Sequence, residues 1–302
     1  MAADARDDDL TSVVIVAADS GPMLIDAVNA ALASSAPVEI IVVDNASSDG
    51  TVARLESFRN DARVRVVENA SNIGFGPACN RGMALARGGA LLFLNPDCLI
   101  ESATVASLRN IACEDARIGL LGIDVRAPDG TPARGNRRRE PTLRRAIMTF
   151  TQLARFESRW PPLAGVEMPA ATSATPAIED VEAVSGACLF LPRRTFEAIG
   201  GFDEAYFLHV EDLDLARRVR DAGYRVAIAH ALRAVHAQGT SSRHRPVFVA
   251  WHKHRGMWRY FRKFDPAAAN AIVRGVVWIA LWAHFALMSP FYALRKRASP
   301  ES

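Results

Sequence analysis

The chain has 302 residues, half of them apolar and 23% charged, with a formal net charge of +3. That suffices for one large α/β domain or two smaller ones and excludes a disordered or repetitive protein, while so small a charge gives no ground for a nucleic-acid partner. The four cysteines, Cys79, Cys98, Cys113 and Cys188, form no CxxC pair and show no regular spacing, which points away from a disulfide framework or a zinc site and towards reduced thiols in a cytosolic protein.

In chain order, residues 1–11 form an acidic tail, MAADARDDDL, where an export signal would be basic and then apolar. Catalysis is therefore expected on the cytoplasmic side. Apolar runs follow at 12–18, 38–44, 63–69, 90–95 and 117–123, alternating with stretches of helical character at 21–34, 50–59, 76–87 and 101–114. Strand and helix alternating at this spacing predict βαβ units and a mostly parallel sheet. Ligands of such sheets bind outside the carboxyl ends of the strands, and Asp44 and Asp97 both fall at such ends.

Between residues 126 and 181 the rhythm stops, in an irregular, proline-rich insertion that carries Arg134, Arg137, Arg138, Arg139, Arg144 and Arg145. It is too long for a plain connection and is expected to be functional or mobile. A second basic run extends from Arg243 to Lys263. Each run reads either as a solvated face or as a surface for an anionic partner. Periodicity returns from 182, with a strand over Val184–Leu191 and a helix over Leu213–Ala222 closed by Gly223. Near the C-terminus, Gly275–Leu294 is apolar apart from His284 and Ser289, long enough as a helix to match a bilayer core. Trp278, Trp282 and Tyr292, with Arg295, Lys296 and Arg297 beyond, suit an anionic membrane surface. Pro290 favours a helix lying in or on the membrane over a single span, and a buried core helix is the third reading.

Five segments together carry a resemblance: VVDNASSDGT (42–51), NIGFGPACNRG (72–82), LNPD (94–97), SGACLFLPRRTFEAIGGFDEAYF (185–207) and EDLDLARRVRDAGYRV (211–226). In this order they resemble family 2 glycosyltransferases, and among them the rhamnosyltransferase-like branch. The resemblance covers residues 12–242. It implies a GT-A type nucleotide-binding α/β fold with a nucleotide-binding half (12–125), the insertion (126–181) and an acceptor and catalytic half (182–242), followed by a membrane-associating region (243–302).

The resemblance also implies roles. Asp44 would accept hydrogen bonds from the donor's base or ribose, with Asn45, Asn72, Gly74, Asn80, Asn95 and Gly186 on the donor side. Residues 45–49 also read as N-cap chemistry ahead of Gly50. Asn95-Pro96-Asp97 resembles the family's DxD metal motif with its first acid replaced, leaving Asp97 to hold Mg²⁺ or Mn²⁺, and His236 stands where the branch completes that coordination. Asn-Pro-Asp is good turn chemistry as well. Asp212 would be the base for inverting transfer and Glu211 its orienting neighbour, although acids here also suit a helix N-terminus. One departure is plain: Ala17 and Ala18 stand where family members commonly carry Tyr-Asn. The reading is an inverting transferase moving rhamnose, from dTDP-rhamnose, onto a lipid-linked glycan for a surface polysaccharide at the inner membrane's cytoplasmic face. The alternative is a non-catalytic nucleotide-sugar-binding or assembly protein of the same fold.

Overall fold

The structure, a computed structural model, describes residues 7–172, 174–237 and 245–297. Arg243, His244 and part of the segment after His236 lie outside the described residues, as does most of the acidic tail.

The first third follows the predicted rhythm. It runs β1 (Asp7–Ala17), α1 (Met23–Leu32), β2 (Val38–Asp44), α2 (Thr51–Leu55), β3 (Val64–Glu68), α3 (Phe75–Met83), β4 (Gly88–Leu94), β5 (Cys98–Ile100), α4 (Thr104–Glu114) and β6 (Ile118–Arg126). The insertion is folded, containing β7 (Arg137–Arg138), α5 (Leu143–Phe150), two 3₁₀ turns and β8 (Ile178–Asp180). The remainder comprises β9 (Ala183–Val184), β10 (Cys188–Pro192), α6 (Arg193–Ala198), α7 (Glu211–Asp221), β11 (Arg225–His236), α8 (Pro246–Phe264) and α9 (Ala271–Arg297). The strand expected over Val184–Leu191 is thus two strands interrupted at Ser185–Ala187.

The main sheet runs β3-β2-β1-β4-β10-β6-β11-β5, with β8 beside β11. Its first four strands are parallel, but β10 lies antiparallel between β4 and β6, and β5 and β8 are antiparallel to β11. The expected parallel pairing holds for the first four strands and for β6 with β11, and β10, β5 and β8 are the antiparallel members. Once β10 enters between β4 and β6, the chain has left the βαβ pattern that enforces parallel neighbours. The central strands are buried on both faces, which explains their near-continuous apolar runs. Alternate residues of β1 point to opposite cores: Val13 and Ile15 to the one closed by Leu24, Val28 and Leu108, Val14 and Val16 to the one closed by Cys79, Phe196, Leu215 and Tyr260.

Four arginines of the cluster, Arg137, Arg138, Arg139 and Arg145, are held in ion pairs, while Arg134 and Arg144 stay exposed. Arg137 pairs with Glu179, Arg139 with Glu157 and Arg145 with Glu182, while Arg138 reaches Asp212 and Glu140 takes Arg217 and Arg220. These pairs fasten the insertion to itself and to the catalytic half. The helix α8 is fastened likewise: Lys263 lies 2.7 Å from both Asp203 and the fully buried Asp214, and Arg259 lies 2.8 Å from Asp203. Burial opposes ionisation of Asp203, yet hydrogen bonds from Lys263 and Arg259 bring its carboxyl down to about 2. By these contacts α8 belongs with the residues before 243, whereas α9, none of whose described side chains is buried, stands off from the core.

Candidate active site

The site forms along the carboxyl ends of β2 and β4 and the turns that follow. Asp44 ends β2 almost fully buried; its Oδ2 accepts the Ser47 N–H at 3.0 Å, while Oδ1 is buried with no protein partner. A buried carboxylate oxygen left without a donor costs about 1–3 kcal/mol or more, so Oδ1 is suited to a ligand's N–H or O–H. The loop beyond it is stapled to the β1–α1 turn: Asp19 N–H donates to Ser47 Oγ, Ser48 N–H to Asp19 Oδ1, and Gly21 N–H to Asp49 Oδ2. Asp49 also accepts from Thr51 at the start of α2. The helix-capping reading therefore applies to Asp49, and the serines bind a neighbouring loop.

Several expected donor-side residues prove to be framework. Asn45 donates to Gly74 O at 3.0 Å and accepts from Asn69 at 2.6 Å, and Asn72 Oδ1 closes a local turn by accepting Gly74 N–H. Gly74 has φ +94°, and a Cβ there would lie 2.5 Å from Phe207 O, the same carbonyl that accepts Phe75 N–H. Only glycine permits this approach, which closes the donor-side loop onto the catalytic half. Asn80 is also occupied: its Nδ2 donates to Phe202 O and Glu204, and its Oδ1 accepts Phe202 N–H. The resemblance implies donor contact for these residues; in the free protein the amides of Asn45 and Asn80, and Oδ1 of Asn72, position loops.

After β4, Cys98 N–H donates to Asn95 O and Asn95 N–H to Ala187 O, so Asn95-Pro96-Asp97 is a turn pinned to the segment before β10. The antiparallel register of β5 with β11 sets His236 opposite Cys98. This brings His236 Nε2 to 2.8 Å from Asp97 Oδ1 and 3.3 Å from Asn95 Nδ2. Residues 97 and 236 thus meet because β11 shifts register between Ala229 and Arg233 and runs on past β6 to β5. A carboxylate and an imidazole converging on one point, both side chains largely buried, fit a divalent cation whose remaining positions go to phosphate oxygens and water. Among the described residues no group of three or more His, Cys, Asp or Glu gathers.

Gly186 faces Asp212. A Cβ on Gly186 would sit 3.2 Å from Asp212 Oδ2, so the glycine makes room for the acid. Asp212 Oδ1 accepts Leu213 N–H at 2.8 Å, and Oδ2 is held by Arg138 Nη2, 74 residues away in the sequence. Arg138 also donates to Val184 O at 2.5 Å. The chain enters α7 through His209 and Val210, both left-handed at φ +65° and +74°, which for a β-branched valine costs on the order of 1–3 kcal/mol. Gly256 of α8 maintains this turn, since a Cβ there would meet Val210 Cγ2 at 3.0 Å and His209 O at 3.1 Å. Glu211 points inward, nearly buried, with Oε2 unpartnered. Burial, reinforced by the neighbouring Asp212, raises its carboxyl pKa well above the ordinary value. Arg138 and Gly256 were not identifiable as site residues from sequence; the arginine cluster was visible, its partner was not.

A cavity of about 390 Å³ near Asp8, Arg109 and Arg194 lies at the start of β4 and the end of β10, the edge of the sheet opposite these carboxylates. It is remote from Asp44, Asp97 and Asp212 and has no part in their arrangement.

Residues 12–168 match the family described as glycosyl transferase family 2, and residues 149–291 match glycosyl transferase family 21. An N-acetylglucosaminyl-diphospho-decaprenol L-rhamnosyltransferase of Mycobacterium tuberculosis is 30% identical, over 96% of this chain and 96% of its own. A low-salt glycan biosynthesis hexosyltransferase of Haloferax volcanii is 23% identical over 68% of this chain and 60% of its own. Among solved structures, a Pyrobaculum calidifontis mannosyltransferase in complex with GDP-Man and Mn²⁺ superposes with TM-score 0.58 at 19% identity, covering 99% of this chain and 79% of that one. GalNAc-T7 with UDP, GalNAc and Mn²⁺ gives TM-score 0.59 at 17% identity, covering 75% and 43%. The fold is the GT-A fold, and the chain belongs to glycosyl transferase family 2 and is a glycosyltransferase.

Proposed function

We propose that the chain transfers a rhamnosyl group, with inversion, from a nucleotide-linked donor to an N-acetylglucosaminyl polyprenyl diphosphate in cell-surface polysaccharide synthesis, at the cytoplasmic face of the membrane. The observation that carries this reading is the continuity of the carboxyl-end turns: Asn95 is bonded to Ala187, and the adjacent Gly186 abuts Asp212. A donor-side turn and a candidate base thereby share one short segment of backbone. The donor and acceptor classes follow the 30% identical relative, aligned over 96% of both chains.

In this reading Asp44 Oδ1 accepts from the donor's base or ribose. Asp97 and His236 would hold Mg²⁺ or Mn²⁺, which when bound offsets the charge developing on the leaving diphosphate. Asp212 Oδ2 takes the proton from the acceptor hydroxyl as that oxygen attacks the anomeric carbon from the face opposite the leaving group. Arg138 holds Oδ2 in the free protein and fixes the orientation of the carboxylate, which keeps acceptor sites for the hydroxyl. Glu211, uncharged near neutral pH by virtue of its burial, keeps a second negative charge away from Asp212 and can donate a hydrogen bond.

The helix α9 supplies the membrane contact. Its Ala271–Leu294 stretch is apolar, 24 residues long and unburied, which argues against the core-helix reading. It packs along α8 through Trp251 and Trp282 and through His254 and His284, and because α8 is clamped to the core we assign α9 to the interface plane rather than a span. The decisive assay measures nucleoside diphosphate release from a donor panel, with and without N-acetylglucosaminyl polyprenyl diphosphate and with and without chelator. Acceptor-dependent release from the rhamnosyl donor, abolished by chelator, is expected. Equal activity with another sugar donor would overturn the rhamnosyl assignment, and full activity in chelator the cation.

A further inference from the structure

The insertion holds an amphipathic element that the reaction does not use. On α5, Leu143, Ala146, Ile147 and Phe150 share one face by helical spacing, and none of the helix's residues is buried. The 3₁₀ turns that follow continue the apolar display, so that Phe150 is 71% exposed, Phe156 47% and Trp160 62%, with Ile147 and Leu153 also open. Monomeric proteins seldom leave such a contiguous set uncovered without a partner.

The charges among these side chains are of one sign. Arg144, Arg155 and Arg159 are exposed, Arg155 lying over the Phe156 ring at 4.6 Å. Arg145 is paired to Glu182, and the segment's lone acid, Glu157, is taken by Arg139 and the Gly165 N–H. Exposed aromatics interleaved with arginines that have no ion-pair partner among the described residues, Arg144 donating to Pro162 O, match the interface of an anionic bilayer, where rings enter the headgroup boundary and guanidinium groups meet phosphate. The patch is also continuous with α9: Leu143 N–H donates to Asp265 at the end of α8, and the Phe150 ring packs edge-on against His284 of α9 at 5.4 Å.

We propose that residues 143–160 form a second membrane-docking element, which with α9 makes one platform that seats on an anionic lipid surface. The inference rests on the assignment of α9 to the membrane only for the platform's extent; the charge and exposure of the insertion stand by themselves. A platform with two supports fixes the orientation of the catalytic half relative to the bilayer, because the same insertion carries Arg138 to Asp212.

The test is co-sedimentation of the full-length protein with vesicles of phosphatidylcholine alone or mixed with phosphatidylglycerol. Three variants are compared: Phe150→Ser/Phe156→Ser/Trp160→Ser, Arg155→Gln/Arg159→Gln, and, on α9, Ile272→Ser/Ile279→Ser/Leu287→Ser. All of these side chains are exposed, and unchanged thermal melting checks that each variant folds. The aromatic variant should lose at least about ten-fold in partitioning with α9 intact. The arginine variant should lose roughly five-fold per residue, and only on phosphatidylglycerol vesicles. If the aromatic variant partitions as wild type while the α9 variant does not, the second docking element is overturned and the α9 assignment stands; the reverse result keeps the element and removes α9. Wild type that binds neither vesicle overturns both. An aromatic variant that keeps its vesicle binding but changes oligomeric state assigns the face to a second copy, and the proposal falls.

Discussion

The two halves of the sheet reach the same edge by different means. In the first, Asp44 and the turn holding Asp97 follow directly on their strands, with Ser47 bonded to Asp44 nearby and Ala187 and His236 closing the Asp97 turn from far along the chain. In the second, Asp212 depends on a strained two-residue entry into α7, an arginine 74 residues upstream and a helix beyond residue 245. The proposed donor site takes its backbone frame from strand ends, whereas the proposed base, Asp212, takes its setting from a strained turn, a distant arginine and a packed helix.

The largest expected effect tests that division at its functional end. Asp212→Asn should lower turnover by about 10² to 10⁴ while nucleotide-sugar affinity, measured by calorimetry, stays near wild type. A matching loss of donor affinity would mean that the halves are not separable.

Next in size is the clamp on α8. Lys263→Met leaves the buried Asp214 with Arg218 as its remaining ion-pair partner, and should cost about 1–3 kcal/mol of stability in denaturant unfolding. It should also slow transfer more than it weakens donor binding, because Gly256 of α8 supports the entry to α7. Normal turnover in a protein so destabilised would confine α8 to structure.

Asp44→Ala sharpens the comparison from the other side. Losing one acceptor to the donor should raise its dissociation constant roughly ten- to thirty-fold, on the order of 1.5–2 kcal/mol, with little change in turnover at saturating donor. An unchanged constant would make Asp44 a loop-fastening residue only, through its bond to Ser47.

A separate test of the second half concerns pH. Burial raises the folded-state pKa of Glu211 above its ordinary 4.5, so between those values the folded protein binds the extra proton and stability falls as pH rises. Glu211→Gln should remove this dependence, giving a protein about as stable as wild type near pH 4.5 and more stable at neutral and mildly alkaline pH. Melting temperatures of the two proteins that run parallel across that range would show that the carboxyl is solvated after all.

The alternation of strands and helices from residue 12 to 125, the placing of Asp44 and Asp97 at strand ends and the apolar C-terminal helix were all legible in the sequence. Each depends on periodicity or turn chemistry within about a dozen residues. The pairing of Asp97 with His236 depends on β5 lying beside the end of β11, and the loop bonds of Asn45, Asn72 and Asn80 depend on which backbone groups folding leaves nearby. The same applies to the arginine cluster: composition displays charge but not its complement, and only the packed chain brings Arg138 to Asp212 and Lys263 to Asp214. Local sequence determined the elements and put Asp44 and Asp97 at strand ends, since periodicity and turn chemistry are short-range; the antiparallel insertion of β10, the closing of the Asp97 turn by Ala187 and His236, and the setting of Asp212 were decided by tertiary contacts between segments far apart in the chain.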